Sequence, residues 1–379
     1  MKRWVLIWAS TAALLAFPAV GEAQSLKERG MMLWQKMMGP VKNLDSTYVF
    51  QPFKGWNVAT VYQGRWDGVK LEIPLEVEVG SVTQKGIIHV NLVDNQTHHV
   101  GFRGGYGPIE LGYSFAVGAK EKPDRNFSFN WLSTLFGLQF YYSRMHDKAI
   151  STLEFEGLSP SRMPEVGSSA GILRLSGFYI FNHKKFSYPS AYQGKLVQRK
   201  SAGSFMAGAK YYQANLSLDN PKNVLGALTL NLTAYATYQF SLGAGYSYNW
   251  VLYHRDAQSM HELGKLRNLT FNITAIPLLT FVNEMRMVHL LPRGEGEEII
   301  PAHGGIQPNA MGRVGLCYAF GHFYINSCFD FYYHHIRSKE LTTKNLQKSV
   351  IDTADYIYRL SVLGNLFNWT AGVELHYRF

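Results

Sequence analysis

The stretch that decides the fold lies at the end of the sequence and reads Trp369-Thr370-Ala371-Gly372-Val373-Glu374-Leu375-His376-Tyr377-Arg378-Phe379. Apolar residues alternate with polar or small ones along it. Because successive side chains of a strand point to opposite faces, one face is apolar with aromatic rings at both ends, and the other face is polar. This pattern is typical of a transmembrane barrel strand, which turns apolar side chains to lipid, polar ones to the lumen and aromatic ones to the two interfaces.

The apolar face of the same stretch is also a candidate assembly signal, formed by Trp369, Val373, Leu375, Tyr377 and Phe379. A terminal strand that ends in Phe resembles the signal that the outer-membrane barrel assembly machinery reads. The resemblance implies that this machinery is a partner during insertion.

The start of the sequence predicts a cleaved signal peptide at residues 1–23. Lys2 and Arg3 precede an apolar run at residues 4–17, and Gly21 and Ala23 place small residues where a signal peptidase reads them. The alternative is an N-terminal membrane anchor, but the run is shorter than the roughly 20 residues that a spanning helix needs. We therefore expect export to the outer membrane of a Gram-negative cell.

Two further segments follow the signal peptide. Residues 24–45 mix apolar and charged residues up to Gly39-Pro40, which predicts a short helix or linker in the periplasm. A helix lying on the inner leaflet is the alternative. Residues 46–379 are predicted to form the barrel.

Composition supports a membrane barrel over a soluble protein. The 379 residues are 14% aromatic and only 17% charged, with 35 glycines, whereas about a quarter of an ordinary soluble domain is charged. A secreted all-β sandwich is the alternative. The net charge of +10 favours anionic partners, which we expect to be outer-membrane lipids or anionic solutes. Nucleic acid is not expected.

Strand patterns recur along the chain from Trp56. Residues 100–103 and 109–115 form a hairpin through Gly107-Pro108, and residues 238–250 give the clearest internal alternation. We predict an all-β fold: an antiparallel transmembrane β-barrel of about 12 strands, or 14 if residues 68–93 enter the wall. This count places short turns at Gly321-His322 and Gly364-Asn365 on the side away from Phe379. The long segments 146–170, 282–308 and 336–353 then fall on the side of Phe379, the reverse of the usual arrangement.

Both cysteines, Cys317 and Cys328, lie on one predicted hairpin around Gly321-His322. A two-residue turn pairs Cys317 with Asn326 and Cys328 with Gly315, so both thiols face the lumen but are displaced by two residues. That diagonal is somewhat long for a disulfide, whose Cα atoms rarely lie more than about 7 Å apart. Oxidation is permitted in an exported protein, so a disulfide and two free thiols both stay open.

A family resemblance rests mainly on residues 181–189, Phe-Asn-His-Lys-Lys-Phe-Ser-Tyr-Pro, and 198–204, Gln-Arg-Lys-Ser-Ala-Gly-Ser. Residues 45–49 and 245–250 and the terminal strand fit the same pattern. The chain resembles the exported barrels of domain of unknown function 4421 over about residues 45–379. The resemblance implies an outer-membrane barrel and supplies no catalytic residues.

The same region carries a cluster of basic residues, centred on Lys184, Lys185, Arg199 and Lys200, with no acid in the local sequence. Such a cluster suits phosphate or carboxylate groups. It predicts either an anion-selecting constriction or in-folded plug in the lumen, or a solvated loop that contacts lipid phosphates.

The sequence offers little sign of an enzyme. No Gly-x-Ser-x-Gly elbow is present. The adjacent pairs His98-His99 and His334-His335 lie in strands, so the two rings of each pair point to opposite faces. Glu374 and His376 share the lumen face, where an ion pair accounts for both. We predict no catalytic residues, no cofactor and no metal.

The leading hypothesis is a monomeric, passive channel or narrow pore that favours small anionic solutes. A second hypothesis is a plugged barrel that serves as a structural or accessory subunit of an outer-membrane complex with partners still to be identified. A third is a lipid-acting enzyme. A barrel of this size can be filled by its own side chains, so dense aromatic filling of the lumen would argue against the channel. Candidates for such filling are Tyr141, Arg313, Asn326, Arg359 and Glu374.

Overall fold

A computed structural model gives the architecture of the chain. It describes residues 44–51, 55–79, 81–93, 97–118, 124–155, 161–162, 166–218, 232–255, 264–290, 297–338, 341–343, 356–361 and 363–379. The predicted signal peptide at 1–23, and all but the last two residues of the predicted helix at 24–45, lie outside the described residues.

The described part of the chain is almost entirely β-structure. Its strands are β1 Val49–Phe50, β2 Trp56–Val79, β3 Val82–Val93, β4 Thr97–Tyr106, β5 Ile109–Val117, β6 Arg125–Leu132, β7 Phe136–Phe155, β8 Ser161–Arg162, β9 Val166–Ile180, β10 Val197–Gln198, β11 Ala202–Leu218, β12 Leu232–Arg255, β13 Arg267–Leu290, β14 Glu297–His303, β15 Gln307–Phe320, β16 Phe323–Arg337, β17 Leu341–Thr343, β18 Tyr356–Leu360 and β19 Leu363–Arg378. One short helix, α1, spans Tyr188–Tyr192. No helix in these described ranges is long and apolar enough to cross a membrane.

The wall is a closed antiparallel barrel of twelve strands: β2, β4, β5, β6, β7, β9, β11, β12, β13, β15, β16 and β19. Pairing of β19 with β2 closes the ring, which leaves no strand edge with unpaired backbone groups in the lipid. The predicted count of twelve is confirmed.

Residues 68–93 do not add two strands to the ring. They form the outer half of β2 and all of β3, which pair with each other as a hairpin. Because β4, β5 and β6 are short, β3 passes beyond their ends and pairs with β7. The hairpin therefore extends the rim of the barrel.

The start of β2 at Trp56, the last residue Phe379 and the turn Gly321-His322 lie at one end of the barrel, here called the near end. The N–H of Arg378 donates to the carbonyl of His322 at 2.8 Å, and that of Phe379 donates to the carbonyl of Trp56 at 2.9 Å. The expectation that Gly321-His322 lies opposite Phe379 is therefore wrong. The expectation was wrong because Gly364-Asn365, which was predicted to be a turn, lies inside β19.

The strand extensions outside the ring lie at the opposite end, here called the far end. The extensions β3, β8, β14, β17 and β18 pair there with the outer parts of the wall strands. Extensions on the side opposite the last residue are the usual arrangement in such barrels. The segment between β9 and β11 is a long connection at the near end. The sequence prediction placed the long segments on the side of Phe379 because it counted Gly364-Asn365 as an additional turn.

The two faces of β19 follow the predicted alternation. On the outer face, Val373 and Leu375 expose 48% and 47% of their surface. On the inner face, Glu374, His376 and Arg378 are buried. Large apolar side chains are exposed on the outside of the other wall strands as well, among them Phe102, Leu111, Phe205, Leu242, Trp250, Leu279, Leu316 and Phe329. This continuous apolar exterior is the surface that a transmembrane barrel presents to lipid.

A charge on the outer face should destabilise the barrel in a lipid bilayer. We expect Val373→Arg to lower the free energy of unfolding by about 2–4 kcal/mol if the site lies near the midplane. Urea unfolding in lipid vesicles measures this loss. Val373→Leu is the matched control and should be close to wild type, so an equal loss in both variants would mean that this face is not in hydrocarbon.

Candidate functional site in the barrel lumen

The segment between β9 and β11 folds into the lumen from the near end. We call residues 181–201 the plug segment. Its helix α1 is capped by Ser187, whose side-chain oxygen accepts a hydrogen bond from the N–H of Ser190 at 3.3 Å. Pro189 lies in the first turn, where its missing N–H costs nothing. Gly194 follows with φ of 57°, a left-handed conformation that favours glycine.

All five residues of α1 are buried. The ring of Tyr188 lies 4.6 Å from that of Tyr192 and 5.0 Å from that of Phe178 on the wall. One apolar cluster joins the plug to five wall strands and contains Leu132, Phe178, Ile180, Phe186, Tyr188, Ala191, Tyr192, Ala202, Met206, Ile276, Leu278 and Met311. The near half of the lumen therefore has a packed core.

Asparagine side chains of the wall hydrogen-bond the backbone of the plug segment. Asn249 donates to the carbonyl of Ser187 at 2.8 Å, and Asn326 donates to the carbonyl of Tyr192 at 2.9 Å. Asn268 donates to the carbonyl of Gln198 at 2.8 Å. These bonds come from β12, β16 and β13, so the plug is held from several sides.

A buried carboxylate, Glu110 on β5, links the tip of the plug segment to the wall. Its Oε1 accepts a hydrogen bond from Asn57 at 2.9 Å and lies 3.9 Å from the Nζ of Lys195. Its Oε2 lies 3.9 Å from Arg103. A buried carboxylate needs such cationic and hydrogen-bonding neighbours. Lys195 also donates to the carbonyl of Ile109 at 3.0 Å, so one plug lysine makes two wall contacts.

A second buried carboxylate lies next to the first. Glu374 accepts from Arg103 at 3.1 Å and lies 2.8 Å from the Nε2 of His376. The predicted pairing of Glu374 with His376 on the lumen face is therefore present. Arg103 bridges the two acids, Glu110 and Glu374, and so shares its charge between them.

Arg313 on β15 contacts both the wall and the plug. Its Nε lies 2.6 Å from the carboxylate of Asp330 on β16. Its guanidinium stacks 4.1 Å above the ring of Tyr192, and its Nη1 donates to the hydroxyl of Tyr188 at 3.4 Å. The side chain thus joins an ion pair of the wall to both plug tyrosines.

A polar cavity of about 90 Å³ lies in the middle of the lumen. Its wall is rich in hydroxyl, amide and guanidinium groups. The polar lining residues are Gln63, Arg103, Ser114, Asn126, Ser128, Asn130, Gln139, Tyr141, Arg174, Ser176, Arg313, Asp330, Tyr332 and Thr370. The cavity and the plug segment together form the candidate site.

Residues 44–360 match the sequence profile described as Domain of unknown function (DUF4421). The chain belongs to this family. The match spans most of the described barrel and confirms the resemblance seen in the sequence. Among curated proteins, no sequence matches the chain significantly.

Solved structures similar to this DUF4421 barrel include three proteins of low sequence identity. The translocator domain of autotransporter NalP from Neisseria meningitidis is 12% identical, with a TM-score of 0.34 over 93% of this chain and 97% of that one. The outer membrane protease OmpT from Escherichia coli is 11% identical, with a TM-score of 0.36 over 84% and 97%. The outer membrane protein OprG from Pseudomonas aeruginosa is 6% identical, with a TM-score of 0.29 over 86% and 97%.

The predicted anion cluster lies on the near-end surface of the plug in this DUF4421 barrel. Lys184, Lys185 and Lys200 are exposed and Arg199 is half-buried. Lys185 and Lys200 lie over the ring of Tyr48, 5.2 and 5.5 Å from its centroid, and Arg199 donates to a backbone carbonyl at 2.7 Å. The four residues therefore surround the outer end of the plug and do not line the mid-barrel cavity.

The fold also brings an acid to this cluster, although the local sequence has none. The N–H of Asp45 donates to the carbonyl of Lys184 at 3.0 Å. Hydrogen bonds from Thr47 lower the pKa of Asp45, and the charges of Lys185 and Lys200 act in the same direction. Residues distant in sequence thus meet at the near end.

The cysteine hairpin has the predicted register. Cys317 pairs with Asn326, and Cys328 pairs with Gly315. Both cysteines occupy lumen-facing positions as free thiols.

The residues proposed as an assembly signal, from Trp369 to Phe379, lie on β19 and at the chain end with their side chains on the outer face. Their role as a signal stays a prediction.

The residues predicted to fill the lumen occupy different places in the structure. Tyr141 and Arg313 line the cavity, Asn326 contacts the plug segment, and Glu374 pairs with Arg103 of the wall. Arg359 lies on β18 beyond the ring, where it pairs with residues of β17 and β2.

The two rings of each adjacent histidine pair lie on opposite faces of the wall, as predicted. His99 and His334 face the lumen, and their neighbours His98 and His335 face outward.

One glycine of the wall makes room for the plug, and its replacement should dislodge it. A Cβ on Gly315 would lie 2.6 Å from Cε1 of Tyr192, whereas a Cβ on Gly312 of the same strand would meet only one oxygen at 4.0 Å. We expect Gly315→Val to loosen the plug and to speed maleimide labelling of the buried Cys317 in the folded protein.

Gly312→Val is the matched control and should label at the wild-type rate. Equal labelling of the two variants would show that Tyr192 does not seal this part of the lumen.

Proposed function

We propose that this protein is an outer-membrane barrel whose lumen is closed by its own plug segment, and that it acts as a structural or accessory component of the envelope. The observation that carries the proposal is the complete burial of α1 among wall residues. Aromatic rings filling the near half of the lumen support a closed barrel over an open one.

The leading hypothesis from the sequence, a passive pore for small anions, would require the plug to leave. Departure would expose the rings of Tyr188 and Tyr192 and break three asparagine bonds to backbone carbonyls. Each of these hydrogen bonds contributes about 0.5–1.5 kcal/mol net of the bonds to water that would replace it. Several such losses together favour the closed state at rest.

The apolar exterior supports lipids of the outer membrane as the surrounding partner, and the aromatic end of β19 supports insertion by the barrel assembly machinery. Subunits of an envelope complex are proposed partners of the closed barrel. An enzymatic role is not proposed, and the prediction of no catalysis stays a prediction.

An efflux assay tests the closed state. Wild-type protein is refolded into vesicles that contain a small anionic dye and, in parallel vesicles, labelled glucose. We expect both solutes to be retained as in protein-free vesicles. Rapid release of the dye with retention of glucose would overturn the proposal in favour of an anion pore, and release of both would indicate an open, unselective lumen.

A further inference from the structure

An arginine of the cavity wall is held in a fixed orientation between two aromatic rings. Arg174 on β9 is only 8% exposed. Its Cζ lies 4.2 Å from the ring centroid of Tyr141 on β7 and 4.2 Å from that of Tyr332 on β16. Stacking on aromatic faces suits the planar guanidinium and leaves its edge for hydrogen bonding. The two rings therefore fix the plane in which this edge can bind a ligand.

Arg174 has no acidic partner among the described residues. Its Nη1 donates to the amide oxygen of Asn368 at 2.8 Å, and its buried Nε makes no hydrogen bond in the described part of the chain. The other two arginines of the same cavity are paired: Arg103 with Glu374 at 3.1 Å and Arg313 with Asp330 at 2.6 Å. A buried charge without a paired acid is costly, so Arg174 provides an unbalanced positive charge at the cavity.

A second basic side chain, Lys210, lies close to the ring of Tyr332. The Nζ of Lys210 on β11 lies 4.2 Å from the centroid of Tyr332 and 3.1 Å from the Nε2 of His334. Lys210 is buried and, like Arg174, forms no ion pair within the described residues. Arginine stays charged under all ordinary conditions, so Arg174 supplies the positive charge of this pair.

The rest of the cavity wall supplies neutral hydrogen-bonding groups. Ser128, Ser176 and Asn130 line it together with Gln139, whose Nε2 donates to the Oδ1 of Asn130 at 3.3 Å. The one acid on the wall, among the lining residues that the structure describes, is Asp330, which is neutralised by Arg313. Such a lining suits an oxygen-rich molecule that carries one anionic group.

We propose that the mid-barrel cavity binds a small molecule through its carboxylate or phosphate group, which the edge of Arg174 holds while serine and amide side chains hold the rest. Arginine binds both groups through two parallel N–H···O bonds. The site is distinct from the basic cluster on the near-end surface, and it does not depend on whether the lumen conducts.

The test uses the full-length protein refolded in detergent micelles. Sodium phosphate and sodium succinate are the two probes, and sodium chloride at equal ionic strength is the reference. A ligand that binds only the folded state raises the midpoint of thermal unfolding. We expect at least one probe to raise it, and titration calorimetry to give a Kd that is weaker by about tenfold or more in Arg174→Gln.

Lys184→Gln is the matched control, because it removes a positive charge from the near-end surface and should leave binding unchanged. Arg174→Lys keeps the positive charge but lacks the planar guanidinium that makes two parallel hydrogen bonds, so it should bind the probe more weakly than wild type. This variant tests the site even if Arg174→Gln fails to fold. Phosphate binding alone would assign a phosphate ligand, and succinate binding alone a carboxylate.

Two results would overturn the proposal. Wild-type protein that binds neither probe beyond the chloride reference would mean that the cavity is only a polar filler of the barrel. Equal binding by wild type and both Arg174 variants, or loss of binding in Lys184→Gln, would place the anion elsewhere.

Discussion

Replacement of residues 184–199 by a Gly-Ser linker of equal length should convert a silent barrel into a conducting one in a planar bilayer. The replaced residues include all of α1 and the apolar side chains that fill the near half of the lumen. The wall itself does not need them, because β9 and β11 pair directly over thirteen residue pairs from Met206↔Ile180 to Leu218↔Ser168. We therefore expect a folded barrel with discrete current steps.

A variant that changes charge but keeps the plug separates closure from electrostatics. Lys184→Gln with Lys185→Gln removes two exposed cations from the near end and leaves α1 in place, so it should stay silent. A linker variant that is folded, as judged by its circular dichroism and cooperative unfolding, and that still carries no current would mean that something other than the plug segment closes the lumen.

Loss of the carboxylate of Asp330 should produce the largest loss of stability among single changes in the lumen. Asp330 is the ion-pair partner of Arg313 at 2.6 Å, and that guanidinium also contacts two tyrosines of the plug. Removing one partner of a buried pair costs about 3–5 kcal/mol, because the remaining charge is left without compensation. Asp330→Ala should therefore lower the free energy of unfolding by an amount of this order, measured by urea titration in vesicles.

The double variant Asp330→Ala with Arg313→Met is the decisive control. It removes both charges and keeps an apolar side chain of similar reach beside Tyr192, so it should be more stable than Asp330→Ala alone. A double variant that is less stable than the single one would show that stacking of Arg313 on the plug matters more than its charge balance.

The wall of the barrel was predictable because its signal is local. The alternation around Glu374 and Leu375 follows from the two-residue period of a strand, and the turn at Gly321-His322 sets the register that pairs Cys317 with Asn326. The end of the barrel at which each turn lies was not predictable in the same way. Gly364-Asn365 resembles a turn in sequence, but backbone pairing with β16 and β2 keeps these residues inside β19.

The lumen was only partly predictable, because its contacts join residues that are far apart in sequence. The basic residues of the 183–204 region drew attention to the plug segment, but the residues that enter the lumen are Tyr188 and Tyr192, between the charges. Tyr141 is the cross-strand partner of Arg174 on the neighbouring strand β7, but Tyr332 lies on β16, which is not adjacent to β9. Periodicity within one strand does not contain either relation. Period-two alternation indicates only that Arg174 faces inward.

The central claim is that the plug segment closes the lumen of the wild-type barrel. Single-channel recording of the folded wild-type protein in a planar bilayer, at both polarities and with a salt gradient, tests it most directly. The account predicts no current steps above those of the protein-free membrane. Discrete steps with a reversal potential that favours anions would contradict it.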